Sequence, residues 1–180
     1  TGHELHISGL PYIRSKMMVK IKDELILFIF LSIGVATLIL FLFFRSFKVI
    51  ASSLIVVSIS ILWAVGLIAL FGFKITILTG VIPSLTVIIA IENCIYILNK
   101  YHWEYRAHGN QAKALSRVVQ RIGFASLMVN TATAIGFAAF ILVSNQLLRE
   151  FGIITSISIM LEYLLCITLL PIIFSYLSPP

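Results

Sequence analysis

Five apolar runs, at about residues 25–44, 49–71, 79–99, 122–143 and 151–177, constrain this chain more than any other feature of its sequence. A helix needs about 20 apolar residues to cross a hydrocarbon core of about 30 Å, and each run is of that order. Inside a bilayer every backbone N–H and C=O must be satisfied internally, so runs of this length predict helices and exclude open sheets. The expected fold class is an all-α integral membrane protein with five transmembrane helices. Composition points the same way: 60% of the 180 residues are hydrophobic and 11% charged, and the mean hydropathy of +1.09 lies far outside the range of a soluble domain.

The net charge of +6 does not mark a nucleic-acid partner. Most basic residues sit between apolar runs, where membrane topology accounts for them, and they form no stripe with interleaved aromatics. Cys94 and Cys166 fall inside apolar runs without CxxC spacing, and the four histidines lie outside the spans without ligand spacing. Neither set predicts a metal or a cofactor, and the cysteines read as small buried hydrophobes. No Ser/His pair, HExxH or GxGD-like dyad suggests an intramembrane enzyme.

An odd number of spans puts the two ends on opposite sides. The RSFK turn after the first run is so short that the second must return as an antiparallel hairpin, and GFKIT makes another short turn after the second. The sizeable loop is 100–121, with five Lys or Arg residues and an aromatic belt of Tyr101, Trp103 and Tyr105. The positive-inside rule makes that face cytoplasmic. The expected N-terminus is therefore outside and the C-terminus inside, in a multi-pass protein of a cell membrane, with the bacterial inner membrane as the expected site. Within the loop, Asn110 is placed to cap a short helix, NQAKALSRVVQR, lying along the membrane surface. Residues 1–24 read as the end of a larger extracytoplasmic α/β domain and its lead-in helix: HELHISG alternates like a strand, and PYIRSKMMVKIKDE reads as a helix entering the first span. Residues 25–177 form the membrane domain and 178–180 a tail.

The polar residues inside the spans are the candidates for function. A charge at the centre of an inserting helix costs about 2.5–3.5 kcal/mol, against about 0.3–0.6 gained per Leu, Ile, Val or Phe. The third span has ten Val, Ile or Leu residues. Their gain of about 3–6 kcal/mol is largely cancelled by Glu92, Asn93, Asn99 and Pro83, so this helix needs partners within the membrane. The other acid in a span is Glu162, in the fifth. At about 1.5 Å rise per residue, Glu92 and Glu162 lie roughly 18–20 Å and 15–17 Å below their helix starts, at similar depth. The fourth span brings Asn130, Thr131 and Thr133 to the same level, with Ala132, Ala134 and Gly136 permitting close helix approach. A polar layer across the bundle is expected. Within it Glu92, with Asn93 beside it and Tyr96 one turn on, is a candidate for exchanging protons, and Glu162 is a second; the competing reading is of protonated acids that act as structural glue.

These residues resemble the resistance-nodulation-division (RND) superfamily, in its branch of mycobacterial-membrane-protein-large (MMPL) and Patched-like proteins. FFRSFK is similar to that family's FRS turn, and LWAVGLIALFGFKIT to its second repeat helix with a Gly turn. IENCIYILNKYHWEYRAHG resembles its GxDxxIHLLxRYxEExxxG stretch, ALSRVVQRIGFASLMVNTATAIGFAAF its TT-containing helix, and LLREFGIITSISI its LRDFG helix start, followed by LLPIIF. The resemblance covers nearly the whole chain. It implies the last five helices of one half of an RND-type bundle, preceded by the end of an extracytoplasmic domain, with a second homologous half in the same chain.

The resemblance further implies a transporter that couples export of lipids or other hydrophobic molecules to proton entry through acids on the third span. Glu92 matches the acid position, Asn93 stands where a second acid or a tyrosine is usual, Thr133 matches one threonine of the TT pair, and Glu162 matches no motif of the family. The expected proton relay is Glu92, Asn93, Tyr96, Thr133 and Glu162. Expected partners are membrane lipids, a hydrophobic small-molecule substrate, the second half and a further copy in a homo-oligomer. A sterol-sensing-like lipid-binding module and a Sec-type translocation accessory share the same helix plan and are the alternatives.

Overall fold

The computed structural model describes residues 10–73 and 76–176, and those residues are almost entirely helical, with no strand among them. Its elements are α1 (Leu10–Phe44), α2 (Phe47–Leu70), α3 (Ile77–His108), α4 (Gln111–Ala138), a 3₁₀ turn over Ala139–Leu142, and α5 (Gln146–Tyr176). All five α-helices are long and apolar enough to cross a membrane, and the chain is an all-α, multi-pass membrane protein. The lead-in helix expected before the first span is the start of α1 itself. The expected strand in HELHISG and the tail 178–180 lie outside the described residues, as does part of the GFKIT turn.

Local chemistry ends α1 and α3 abruptly. After α1, Arg45 adopts a left-handed φ of 46° and its N–H closes on the Phe41 carbonyl at 3.1 Å. Ser46 then returns to extended backbone and α2 begins. The stretch 100–121 differs from the loop expected there, being helical except at Gly109 and Asn110. Gly109 takes a φ of 62°, a conformation that costs glycine nothing, and stops α3. The Asn110 side chain accepts from the Lys113 N–H at 3.1 Å and starts α4. Asn110 is thus a cap, but the helix it caps runs on to Ala138 without a break and does not form a separate surface helix. The physical reason is that a charged sequence lowers hydropathy without lowering helix propensity, so α3 and α4 continue past their apolar stretches.

Glu104 holds this turn from inside. It is buried, and its carboxylate lies 3.8 Å from Lys100 Nζ and 3.4 Å from Arg117 Nη1, which joins the end of α3 to the start of α4. Arg117 also contacts the His108 ring.

Helices α3 and α5 lie side by side and parallel, since Asn93 with Glu162, Cys94 with Cys166, and Tyr101 with Phe174 pair in the same order along both. Helix α4 runs antiparallel to α5, and among the described residues α1 packs on α2 and α3. One apolar cluster near the Gly109 end joins Val56, Leu98, Tyr101, Val118 and Leu170 from four helices. A second joins Ile82, Leu67 and Ile154 near the opposite end. A third seats Ala36 and Leu40 of α1 on Val57, Val87 and Ala90.

The close approach of α4 and α5 falls at glycines other than the one expected. A methyl on Gly136 would meet nothing within 4 Å, whereas one on Gly152 would lie 2.7 Å from the Phe137 carbonyl and 2.8 Å from Phe140 Cβ. Gly136 faces outward on α4, so its size is not used between these helices.

Candidate functional site

The polar layer forms between the apolar clusters at the two ends of the bundle, and its hub is Asn93. The buried stripe of α3 runs through Ile82, Thr86, Val87, Ala90, Asn93, Cys94, Ile97, Leu98 and Tyr101. These positions repeat at helical spacings of three and four, so the stripe keeps to one side of α3 and the residue before Asn93 turns about 100° away from it. That residue is Glu92: it is exposed, on a face shared with Ile88, Tyr96, Asn99 and Trp103.

Asn93 Nδ2 donates to Glu162 Oε2 at 2.5 Å and to Asn130 Oδ1 at 3.1 Å. Its Oδ1 accepts from Asn130 Nδ2 at 2.9 Å and from Ser126 Oγ at 2.8 Å. The two asparagines thus form a reciprocal amide pair, and Asn130 is tied back to its own helix through the Ser126 carbonyl at 2.8 Å. Exposure of Asn93, Ser126, Asn130 and Glu162 is 6%, 4%, 4% and 1%, so three helices meet in a network closed to lipid. Packing beside it is tight: the Tyr163 hydroxyl donates to the Gly123 carbonyl at 2.9 Å, and a methyl on Gly123 would lie 3.3 Å from Ile167 Cδ1.

Glu162 is the chemically distinctive member. Asn93 occupies Oε2, while Oε1 has no hydrogen-bond partner. The Ser158 and Thr155 hydroxyls, on the same buried face of α5, are likewise without partners. Residues 77–99, 122–138 and 150–176 contain no Lys, Arg or His, so no basic residue in these stretches neutralises the carboxyl. A carboxyl so placed can hold a proton on Oε1 while Oε2 keeps its amide donor.

The structure therefore gathers part of the expected set. Asn93 and Glu162 are together; Glu92 and Tyr96, 52% exposed, lie on the outer face of α3. The Thr133 hydroxyl bonds the Val129 carbonyl of its own helix at 2.9 Å, and that of Thr131 turns to Met160 Sδ at 3.9 Å. Ser126 was not anticipated. It lies four residues before Asn130, and that spacing on one helix face was the available signal. Among the described residues no group of three or more His, Cys, Asp or Glu gathers where a metal ion could bind.

The family model described as the MMPL family matches residues 1–180. A membrane protein of Methanocaldococcus jannaschii is 25% identical over 170 residues, covering 94% of this chain and 44% of the relative. The multidrug resistance protein MdtC of Pectobacterium atrosepticum is 25% identical over 166 residues, covering 91% of this chain and 16% of the relative. MdtC of Serratia proteamaculans is 24% identical over 176 residues, covering 94% and 17%. The chain spans less than half the length of these curated relatives.

Proposed function

The chain belongs to the MMPL family of the RND superfamily, and on that premise we propose that it is the five-helix membrane part of one half of a proton-coupled exporter. The cargo is a lipid or another hydrophobic or amphiphilic molecule, a class to which the relatives named as multidrug resistance proteins lend support. One observation carries the reading: a fully buried acid, Glu162, hydrogen-bonded to the hub of a three-helix polar network with one carboxyl oxygen free.

An ionised carboxylate at this depth costs several kcal/mol, and a bound proton removes most of that cost. Protonation and release at Oε1 therefore change the stability of the α3–α4–α5 packing itself. Asn93 serves both states, because its amide donates to the carboxylate or to the carbonyl oxygen of the acid. The unpartnered hydroxyls of Ser158 and Thr155 offer acceptors for the proton along α5. Coupling follows from this link, since a proton that changes which packing is favoured biases a two-state bundle by its differential affinity.

Glu92 and Tyr96 have a different place in this scheme. They lie on the α3 face that these five helices leave open, where a second half of the same chain would seat, and a carboxyl there is shielded from lipid once that half is present. The orientation assigned to the assembled protein is N-terminus outside and C-terminus cytoplasmic, with Arg45, Arg106, Lys113 and Arg121 at the cytoplasmic surface.

The test is export driven by an imposed proton gradient, measured in vesicles with the full-length protein. Glu162→Gln, which keeps shape and hydrogen bonding but cannot release a proton, abolishes gradient-driven export while leaving the protein folded. Undiminished export by Glu162→Gln removes the proposal for this site.

A further inference from the structure

Cys94 and Cys166 stand in a relation that their sequence positions do not suggest. Each is fully buried, they come from different helices, and their sulfurs are 3.7 Å apart. Cys94 follows Asn93 directly, and Cys166 is one turn beyond Glu162, so the thiol pair lies immediately beside the hydrogen bond that joins the same two helices. Both are free thiols. Val56, Ile97, Leu98 and Leu170 pack around them on the side away from that hydrogen bond's polar groups.

A disulfide needs its sulfurs at about 2.05 Å. From contact at 3.7 Å that requires the two sulfurs to close by about 1.7 Å, through side-chain rotation and approach of α3 and α5. We propose that Cys94 and Cys166 form an oxidisable pair that closes into an interhelical disulfide, clamping α3 to α5, when a small uncharged two-electron oxidant such as hydrogen peroxide enters the bilayer.

The chemistry balances in two steps. One thiol is oxidised by peroxide to the sulfenic acid, with one water released. The second sulfur then attacks the sulfenic sulfur; the S–S bond forms, the S–O bond breaks, and the hydroxyl leaves with the second thiol's proton as water. Two thiols and one peroxide give one disulfide and two waters. A thiol buried among apolar groups is a slow nucleophile, so the first step is slow. The second is fast, because the partner sulfur is already in contact and the reaction is intramolecular. Over-oxidation is thereby disfavoured. The bond itself stands apart from the transport reading; its effect on export rests on that reading, because the clamp fixes the two helices that carry Asn93 and Glu162.

The experiment uses the full-length protein in membrane vesicles exposed to hydrogen peroxide. Remaining thiols are blocked with N-ethylmaleimide in denaturant, and the digested peptides are read by mass spectrometry. The expected product is a cross-linked peptide pair containing Cys94 and Cys166, lighter by two hydrogens than the sum of its parts, separated by dithiothreitol and absent from Cys94→Ser and Cys166→Ser. Recovery of both cysteines as maleimide adducts, or as sulfinic and sulfonic acids, overturns the pair. A second arm measures gradient-driven export: oxidation abolishes it, dithiothreitol restores it, and Cys166→Ser is insensitive. Cross-linking with unchanged export, in protein whose Glu162→Gln variant is inactive, overturns the clamp while leaving the proton site intact. Export that survives Glu162→Gln before any oxidant is added marks failure of the proton reading instead.

Discussion

Replacing Asn93 by alanine should cost far more than replacing its neighbour Glu92, although hydropathy alone ranks them the other way. Asn93 makes four hydrogen bonds to three side chains on two helices. In membrane proteins such bonds average about 0.6 kcal/mol, with a maximum of about 1.7. Three bonds near the mean and one to a carboxyl near the maximum put the loss at about 3.5 kcal/mol for Asn93→Ala, before any cost of the small cavity. Glu92→Ala removes an exposed side chain from this bundle and should change its intrinsic stability by about 0.5 kcal/mol or less. The assay is reversible unfolding of the purified membrane domain or full-length protein in mixed micelles, with the denaturant midpoint compared at constant slope. A double-mutant cycle of Asn93→Ala with Glu162→Gln should show coupling of about 1–2 kcal/mol, as groups in one network do. Equal small losses for Asn93→Ala and Glu92→Ala, or additivity in the cycle, would refute the hub.

Other consequences can be checked by the same unfolding measurement. Gly152→Ala drives a methyl into the Phe137 carbonyl and Phe140, and should cost about 1–3 kcal/mol. Gly136→Ala, whose methyl meets nothing, should be neutral or stabilise by up to about 1 kcal/mol through helix propensity. Gly109→Ala forces a side chain into a φ of 62° and should lose about 1 kcal/mol, localised by hydrogen exchange to the α3–α4 turn. Glu104→Gln unpairs Lys100 and Arg117; because both cations are partly exposed the loss should be about 1 kcal/mol or less and shrink as salt is raised.

The five helices were legible because a bilayer leaves an apolar run of 20 residues few alternatives. The common level of Glu162 and the middle of α3 was also legible, since rise per residue is fixed. Orientation about each helix axis was not. In a soluble helix the apolar side faces the core, but a membrane helix is apolar on both its lipid and its protein sides, so Ile88 beside Glu92 and Ile97 near Asn93 look equivalent in sequence. The signal that separates them is size: Ala90 and Cys94 flank Asn93 on the stripe that meets other helices, whereas Ile88 and Tyr96 flank Glu92. The long polar stretch 100–121 misled for a related reason, because charge reports departure from the membrane and says nothing about whether the helix continues. The thiol pair was illegible in principle: residues 72 apart come into contact only through the parallel packing of α3 and α5.

The central claim is that Glu162 binds and releases a proton inside the bundle. Infrared difference spectroscopy of the full-length protein in lipid, recorded between acid and alkaline buffer, reads a protonated carboxyl directly through its C=O stretch. The account predicts a titrating carboxyl band from a group shielded from water, lost in Glu162→Gln and shifted in Asn93→Ala as its amide donor disappears. A difference spectrum identical in wild type and Glu162→Gln would contradict it.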